Sequence, residues 1–296
     1  MSSSELYVVT GVSGRTGAAT ARALLSAGKN VRVVVRTADK GNIWANQGAE
    51  VALADFTDLS ALSNALSGAT GAYILSPQQY AREDLFIQAD IMACTIAEAI
   101  TRVQLPKVVA LSSIGADQTR DTGWIAMNRT LEQRLGQSEL PVTFLRAAYF
   151  MENWSPLIKI AASQEELPSF LSPLDRKIPM IATDDVGHIA ADALCQNWNG
   201  TRIIELEGPN RYSPNDVAKH VSKVLGKTIG AAVIPESNWK QALSGLGFSF
   251  SALTGFIEMT RGLNSGHIAF ADDSNIDHRK GTISFDNVMT AISAAL

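Results

Sequence analysis

The sequence has little of several features that mark particular protein classes. Only two cysteines occur in 296 residues, Cys94 and Cys195, which excludes a disulfide framework and fits a reducing compartment. No apolar run is long enough to span a bilayer. The N-terminus, MSSSELYVVT, lacks the charged and then apolar pattern of a signal peptide. These absences predict a cytoplasmic protein with no membrane partner.

Basic residues and metal-binding patterns are also scarce. Lysine and arginine together number 25 against 29 aspartates and glutamates, which gives a net charge of −4. No lysine-rich tail or basic stripe occurs, so we expect no nucleic-acid partner. The four histidines and two cysteines show neither H-x-x-x-H nor C-x-x-C spacing. We therefore expect no metal site.

The chain does contain short apolar runs that alternate with helical patterns. Several runs have no polar alternation, which is typical of strands covered on both faces. The runs lie at residues 6–11, 31–36, 50–56, 72–76, 107–113, 142–150 and 202–208. This order predicts an α/β fold, namely a Rossmann-type parallel sheet with helices on both faces.

Helix-end signals and a change of rhythm suggest the domain organisation. Gly28 suits the end of a first helix, Asp58 can cap a second, and a long helical pattern runs from Tyr80 to Val103. Ser213 followed by Pro214 marks a further helix start. We expect a Rossmann-type domain at 1–150, with 184–210 returning to it. We expect a smaller, mostly helical substrate lobe at 151–183 and 211–296.

The strongest motif is TGVSGRTG, directly after the first strand. Gly11, Gly14 and Gly17 have the spacing G-x-x-G-x-x-G and lead into a helix. Such a loop lets backbone N–H groups and a helix N-terminus approach a pyrophosphate. Ser13, Arg15 and Thr16 belong to the same predicted site. The alternative is a tight turn that binds nothing.

Residues after the second and third strands indicate which dinucleotide would bind. The second strand ends at Arg36, where NAD-specific enzymes usually carry an acid for the ribose 2′-hydroxyl. An arginine there can pair with the 2′-phosphate, which predicts NADP (NADPH) as cofactor. Asp55 and Phe56 end the third strand, where an adenine ring would lie. Asp55 could accept from the adenine amino group or cap the next helix.

These motifs together resemble the NmrA-like family of atypical short-chain dehydrogenases/reductases. The matching segments are TGVSGRTG, VVVR, ADFTDLSALSNAL, YILSP, LSSIGA, TLEQRLGQSELPVTFLRAAYFMEN and IATDDVGHIAADAL. The resemblance implies a Rossmann-type domain that binds NAD(P)H and a lobe that closes over the nicotinamide. Family members include NADPH-dependent quinone, azo-dye and triphenylmethane-dye reductases, and regulators with no known catalysis.

The chain departs from the family and the superfamily at informative positions. The family often has a lysine four residues before Glu132, and here Asn128 stands there. Trp124 stands where the superfamily has its tyrosine. None of the five tyrosines is followed four residues later by a lysine. The usual acid/base pair for alcohol oxidation is therefore absent.

The remaining candidate residues lie at strand ends and on one helix face. Catalytic candidates are Asn128, Tyr149 and Ser113. Further cofactor candidates are Asn128, Ser76, Pro77, Tyr149, Phe150 and Asn153, and the predicted substrate pocket comprises Trp124, Phe150 and Trp154. Asn128 could hold a ribose hydroxyl or be a purely structural amide. The aromatic side chains suit a flat acceptor, but they could equally pack between lobes.

Two functional hypotheses remain open. The first is an NADPH-dependent reductase of a quinone, enone or azo compound, in which the product takes its proton from solvent. The second is a regulator that senses NAD(P) without turnover. An isomerase or dehydratase is the weakest alternative. The expected partner is an aromatic or quinone-like small molecule, and the protein is expected to be a monomer or homodimer.

Overall fold

The computed structural model describes residues 5–293 and contains alternating strands and helices. The strands are β1 (Leu6–Val9), β2 (Asn30–Val35), β3 (Glu50–Leu53), β4 (Gly71–Ile74), β5 (Val108–Ser113), β6 (Val142–Ala147), β7 (Tyr149–Phe150), β8 (Glu166–Ser169), β9 (Ile178–Ile181), β10 (Thr201–Glu207), β11 (Arg211–Tyr212), β12 (Gly230–Val233) and β13 (Asp277–Lys280). The α-helices are α1 (Arg15–Ser26), α2 (Ala38–Ala45), α3 (Leu59–Leu66), α4 (Leu85–Arg102), α5 (Ile125–Gly136), α6 (Ser155–Gln164), α7 (Thr183–Cys195), α8 (Pro214–Leu225), α9 (Trp239–Leu243), α10 (Phe250–Ser265) and α11 (Phe285–Ser293).

The central sheet has eight parallel strands within the described range, in the order β13-β10-β6-β5-β4-β1-β2-β3. Two smaller sheets, β11-β9-β7 and β12-β8, lie outside it. None of the helices between residues 5 and 293 is both long and apolar enough to cross a membrane.

Two hydrophobic cores cover the two faces of the central sheet. Val9 and Val33 belong to the core that includes residues of α1 and α7. Val8 and Val34 belong to the core that includes residues of α3, α4 and α5. Successive strand residues therefore enter different cores, which explains why the strands are apolar without alternation. The predicted Rossmann-type α/β fold is confirmed.

Two predicted helix starts are also confirmed. Asp58 caps α3, because its Oδ1 accepts a hydrogen bond of 2.9 Å from the Ala61 N–H. Ser213 caps α8 in a reciprocal capping box with Asp216. Both caps follow from local sequence, since their partners lie only three residues away.

The helix predicted to start at Tyr80 was placed too early, because α4 begins at Leu85. The preceding turn is tied to a distant part of the chain. The Glu83 carboxylate accepts hydrogen bonds of 2.8 and 3.1 Å from the backbone N–H groups of Phe250 and Ser251. Glu83 thus binds free N–H groups at the start of α10, and this tertiary contact competes with an earlier helix start.

Strand β13 comes from the segment 211–296 that the sequence assigned to the smaller lobe. It pairs in parallel with β10, with Ile204 opposite Asp277 and Glu205 opposite His278. The strand reads DHRK and lies at the edge of the sheet. It has no apolar run that would mark it as a strand, so the sequence pattern did not reveal it.

Candidate functional site

The predicted site residues follow the carboxyl ends of the parallel strands. Parallel pairing places all these ends on one edge of the sheet, which is where open α/β sheets bind ligands. The glycine loop follows β1, Arg36 follows β2 and Asp55 follows β3. Ser76 follows β4, and Ser113 is the last residue of β5. The fold therefore brings these separate segments to one edge.

The glycine loop has a geometry that larger residues would disrupt. Gly11 has φ +68°, and a Cβ at this residue would lie 2.5 Å from the Leu75 side chain. A Cβ at Gly17 would lie 2.5 Å from the backbone oxygens of Gly11 and Thr10. The Gly14 N–H donates to the Gly11 carbonyl over 2.9 Å. These contacts hold α1 directly against the end of β1.

The N-terminus of α1 has the donors that an anion requires. No side chain caps α1, and its first turn contains no acidic residue. The first N–H groups of a helix lack intrahelical partners, so they remain available to a phosphate. Ser13, Gly14 and Arg15 are exposed, whereas Thr16 is buried. Thr16 can therefore contribute its backbone N–H but not an exposed hydroxyl.

Arg36 is an exposed cation near Asp55. Its guanidinium makes no hydrogen bond or ion pair with any residue in the range 5–293. Hydrogen bonds from Thr57 lower the pKa of Asp55, and the charge of Arg36 lowers it further. Asp55 Oδ1 accepts from the Thr57 N–H and hydroxyl at 2.9 and 2.7 Å. The alternative that Asp55 caps the next helix is wrong, because Asp58 caps it.

The side chain of Asn128 lacks a protein partner. It lies on α5, is half-buried and makes no hydrogen bond with any described residue. A half-buried amide normally satisfies its donors and acceptor, so a free amide is available to a ligand or to solvent. The side-chain amide of Asn128 is therefore free to contact a ligand or water.

Trp124, one turn earlier, has a different environment. Its ring stacks on Tyr80 with centroids 3.9 Å apart, and its Nε1–H donates to the Ala252 carbonyl over 2.8 Å. Phe248 and Phe256 each contact it edge-on, with centroids 5.3 Å away. Trp124 therefore joins α5 to the segment that contains α10, and at most part of its ring can face a ligand.

Sequence reasoning missed the aromatic side chains around Trp124. Tyr80, Phe248 and Phe256 come from segments separated by up to 176 residues (256 − 80), so no local pattern could group them. The nearest signal was the position of Tyr80 shortly after β4. Burial raises the pKa of Tyr80 above its ordinary value, so its phenol stays protonated at neutral pH.

The segment after β6 is partly committed to packing. Tyr149 and Phe150 form β7, which pairs with β9, and both are half-buried. Burial raises the pKa of Tyr149 to about 12, which keeps this phenol protonated too. Trp154 is only 2% exposed and lies in the core, whereas Asn153 is exposed. Trp154 is therefore a core residue, and its side chain has almost no surface that could line a pocket.

The two serines at the end of β5 have different roles. The Ser112 hydroxyl donates to Glu132 over 2.6 Å, and Arg146 makes a bidentate pair with the same carboxylate at 3.0 and 2.8 Å. This buried network fixes α5 against the sheet. The Ser113 hydroxyl donates to the adjacent Ile114 carbonyl over 3.0 Å. Ser113 keeps acceptor capacity, but its proton is already used within the turn.

Glu152 is a further candidate that sequence reasoning missed. One of its carboxylate oxygens accepts two hydrogen bonds from Thr183, and the other is buried without a hydrogen-bond partner among the described residues. It lies two residues after Phe150 in a segment that was read for its aromatic side chains. Among residues 5–293, no group of three or more His, Cys, Asp or Glu side chains is arranged to hold a metal ion.

Comparisons with known proteins agree with this architecture. Residues 3–282 match the NmrA-like family. The chain is 26% identical to the NAD(P)H azoreductase of Xenophilus azovorans over 246 residues, or 82% of each protein. It is 23% identical to quinone oxidoreductase 2 of Escherichia coli over 244 residues, again 82% of each.

A solved structure extends the comparison to the fold. The triphenylmethane reductase of Citrobacter sp., solved as a complex with NADP(H), superposes with a TM-score of 0.81 at 17% identity. The superposition covers 99% of this chain and 100% of that one. Because the family match covers 280 consecutive residues (3–282), the chain belongs to the NmrA-like family.

Proposed function

We propose that this protein is an NADPH-dependent oxidoreductase that reduces a conjugated small molecule of the quinone, enone or azo type. The observation that carries the proposal is the unpaired Arg36 guanidinium beside the carboxyl edge, next to a glycine loop with an uncapped helix. The reductase activities of the two curated relatives support it.

The cofactor fits the residues that are present. The uncapped N–H groups of α1 suit the pyrophosphate, and Arg36 suits the 2′-phosphate. Asn128 has free donors and a free acceptor for a ribose hydroxyl. Tyr149, Phe150 and Asn153 lie on the segment that the family resemblance places beside the nicotinamide. When bound, the reduced dinucleotide supplies a hydride.

The protein's own groups restrict the acceptor class. No described residue pairs a tyrosine with a lysine in the superfamily arrangement, and burial keeps Tyr80 and Tyr149 protonated. An acceptor whose reduced form is stabilised by conjugation can take its proton from solvent, so it does not require a tuned phenol. The exposed parts of Trp124 and Phe150 would contact a flat ring.

Cofactor preference is tested by calorimetric titration with NADPH and NADH. We expect NADPH to bind more tightly by about 1.5–3 kcal/mol, the value of a charge-assisted hydrogen bond. Arg36→Ala should remove this preference. Arg120→Ala, at another exposed arginine, should keep it. Equal affinities in the wild type would refute the role of Arg36.

Substrate class is tested by NADPH oxidation with a panel of quinones, azo dyes, enones and secondary alcohols. We expect turnover of conjugated acceptors and no appreciable oxidation of alcohols with NADP. Alcohol oxidation would reveal an acid/base group outside the site described above.

A second function is favoured by one observation, the packing of Trp124 and Trp154. Both indoles lie largely within aromatic or core contacts, as expected for a protein that binds the dinucleotide to regulate a partner. NADPH binding with no turnover across the whole panel would select this alternative.

A further inference from the structure

Glu152 has an unpaired carboxylate oxygen close to the glycine loop. Its Oε1 accepts hydrogen bonds from the N–H and the hydroxyl of Thr183, at 2.8 and 2.7 Å, at the start of α7. Its Oε2 is shielded from solvent and has no hydrogen-bond partner among residues 5–293. A buried carboxylate oxygen without a partner disfavours the ionised form.

A short chain of hydrogen bonds connects Glu152 to the start of α1. Arg15 donates to the Ser155 hydroxyl over 3.1 Å, and that hydroxyl donates to the backbone carbonyl of Glu152 over 2.7 Å. Arg15 is the first residue of α1 and lies within the glycine loop. This chain ends at the backbone carbonyl of Glu152, and the charge of Arg15 also acts on the Glu152 carboxyl group. Glu152 therefore lies close to the proposed phosphate site.

The groups that act on Glu152 have opposing effects. Burial raises its pKa, whereas the hydrogen bonds from Thr183 and the charge of Arg15 lower it, and the net shift is upward. Arg15 on α1 is the charged group that acts on Glu152, and the residues of α7 and α6 that hydrogen-bond to Glu152, Thr183 and Ser155, are neutral. The acidic residues that follow Thr183 on α7 are engaged elsewhere: Asp184 pairs with Arg22, and Asp185 accepts from backbone N–H groups near residue 282. The charge state of Glu152 therefore depends on whether Arg15 is also paired with another negatively charged group.

We propose that Glu152 takes up a proton when a dinucleotide occupies the glycine loop, so that cofactor binding is linked to protonation at this carboxyl. A pyrophosphate at the start of α1 brings negative charge beside Glu152 and draws on the charge of Arg15. The added negative charge, and the pairing of Arg15 with the phosphate, both disfavour the carboxylate form of Glu152. This inference rests on the proposed function only for the identity of the ligand.

The sign of the linkage follows from the direction of the change. The pKa of Glu152 is higher in the complex than in the free protein, so protonation favours binding. NADPH affinity is greatest below the free-protein pKa and falls as the pH rises toward the pKa of the complex. Between these two values the dissociation constant rises about tenfold per pH unit, and above them it is constant.

The test is titration calorimetry with NADPH in buffers of different ionisation enthalpy, over a series of pH values. The difference in apparent enthalpy gives the number of protons taken up. The 2′-phosphate of NADPH also titrates, so the informative quantity is the difference between variants. Glu152→Gln retains an acceptor for Thr183 but cannot ionise. Glu98→Gln, at an exposed glutamate on α4 whose side chain makes no hydrogen bond or ion pair with the described residues, is the matched control.

We expect wild type and Glu98→Gln to take up the same number of protons and Glu152→Gln to take up fewer. The affinity of Glu152→Gln should also lose the tenfold dependence on pH. Equal proton uptake in all three proteins would overturn the inference. A second measurement needs no variant: infrared difference spectra of the wild type should show a carboxylate band lost and a protonated carboxyl band gained when NADPH binds. Absence of this change also overturns it.

These outcomes separate the inference from the proposed function. NADPH binding without a proton difference removes the role of Glu152 and leaves the reductase proposal intact. Proton uptake at Glu152 without turnover of any acceptor supports the role of Glu152 and removes the reductase. Failure of NADPH to bind at all overturns both.

Discussion

The close approach of α1 to β1 makes Gly17→Ala a sharp test of the cofactor loop. A Cβ at Gly17 would lie 2.5 Å from the carbonyl oxygens of Gly11 and Thr10 and from the carbonyl carbon of Gly11. All three are main-chain atoms, so no side-chain rotation can relieve the contact. The first turn of α1 must move away from the end of β1 to accommodate one methyl group.

The magnitude follows from two opposing terms. Alanine in place of glycine within a helix stabilises it by about 1 kcal/mol. Overpacking against a rigid backbone costs about 1–3 kcal/mol, and the main-chain contacts place Gly17 at the upper end. We expect the free energy of unfolding to fall by about 1–2 kcal/mol. We also expect weaker NADPH binding, because the displaced N–H groups no longer converge on the phosphate site.

Gly136→Ala is the matched control, because Gly136 also lies in a helix, α5, and a Cβ there would meet nothing within 4 Å. This substitution should leave NADPH affinity unchanged and raise the free energy of unfolding by at most about 1 kcal/mol. Urea unfolding and calorimetric titration of both variants measure the two effects. A Gly17→Ala protein as stable as Gly136→Ala, with wild-type NADPH affinity, would refute the close contact.

Four further substitutions, at three residues, test other parts of the structure. Asn128→Ala should weaken NADPH binding by about 0.5–1.5 kcal/mol in calorimetry. Its thermal unfolding temperature should not fall, because alanine is the better helix former. Asn128→Lys should fold and bind NADPH without gaining alcohol oxidation. Glu132→Ala should lower the free energy of unfolding by about 1.5–3 kcal/mol, because the buried Arg146 loses its bidentate partner and keeps only the longer ion pair with Asp117 at 3.5 Å; a loss below about 1 kcal/mol would contradict this. A hydrogen bond from His220 is the main cause that lowers the pKa of Asp286, so its stabilisation is present above the ordinary aspartate value of 3.8 and is lost as the pH falls below it. Urea unfolding at several pH values should therefore show Asp286→Asn less stable than wild type near neutrality, with the difference shrinking in acid; a constant difference would count against the pair.

Features that depend on near neighbours in the chain could be predicted from the sequence. The apolar runs predicted seven strands of the central sheet, because the inner strands pack on both faces. The edge strand β3 also reads as an apolar run, although its Val51 and Leu53 side chains are exposed. Asp58 and Ser213 were predicted as caps because their partners lie three residues away. The glycine loop was predicted because its spacing reports a turn between one strand and the next helix.

Features that depend on distant contacts could not be predicted. Strand β13 carries polar side chains and is defined only by its pairing with β10, so periodicity gave no signal. The delayed start of α4 depends on Glu83 binding N–H groups of α10. The stacking of Tyr80 on Trp124 joins residues 44 positions apart (124 − 80), and only the folded chain brings them together.

The contacts of Trp124 affect how hybrids between this protein and its relatives could be built. A hybrid that takes residues 248–265 from a relative would still offer a backbone carbonyl in place of that of Ala252, because any sequence supplies one. It would not necessarily supply the two ring edges that Phe248 and Phe256 present to the indole. Helix α10 is therefore not an independent unit. A hybrid that preserves the packing of Trp124 requires the start of α5 and the whole of α10 to be transferred together.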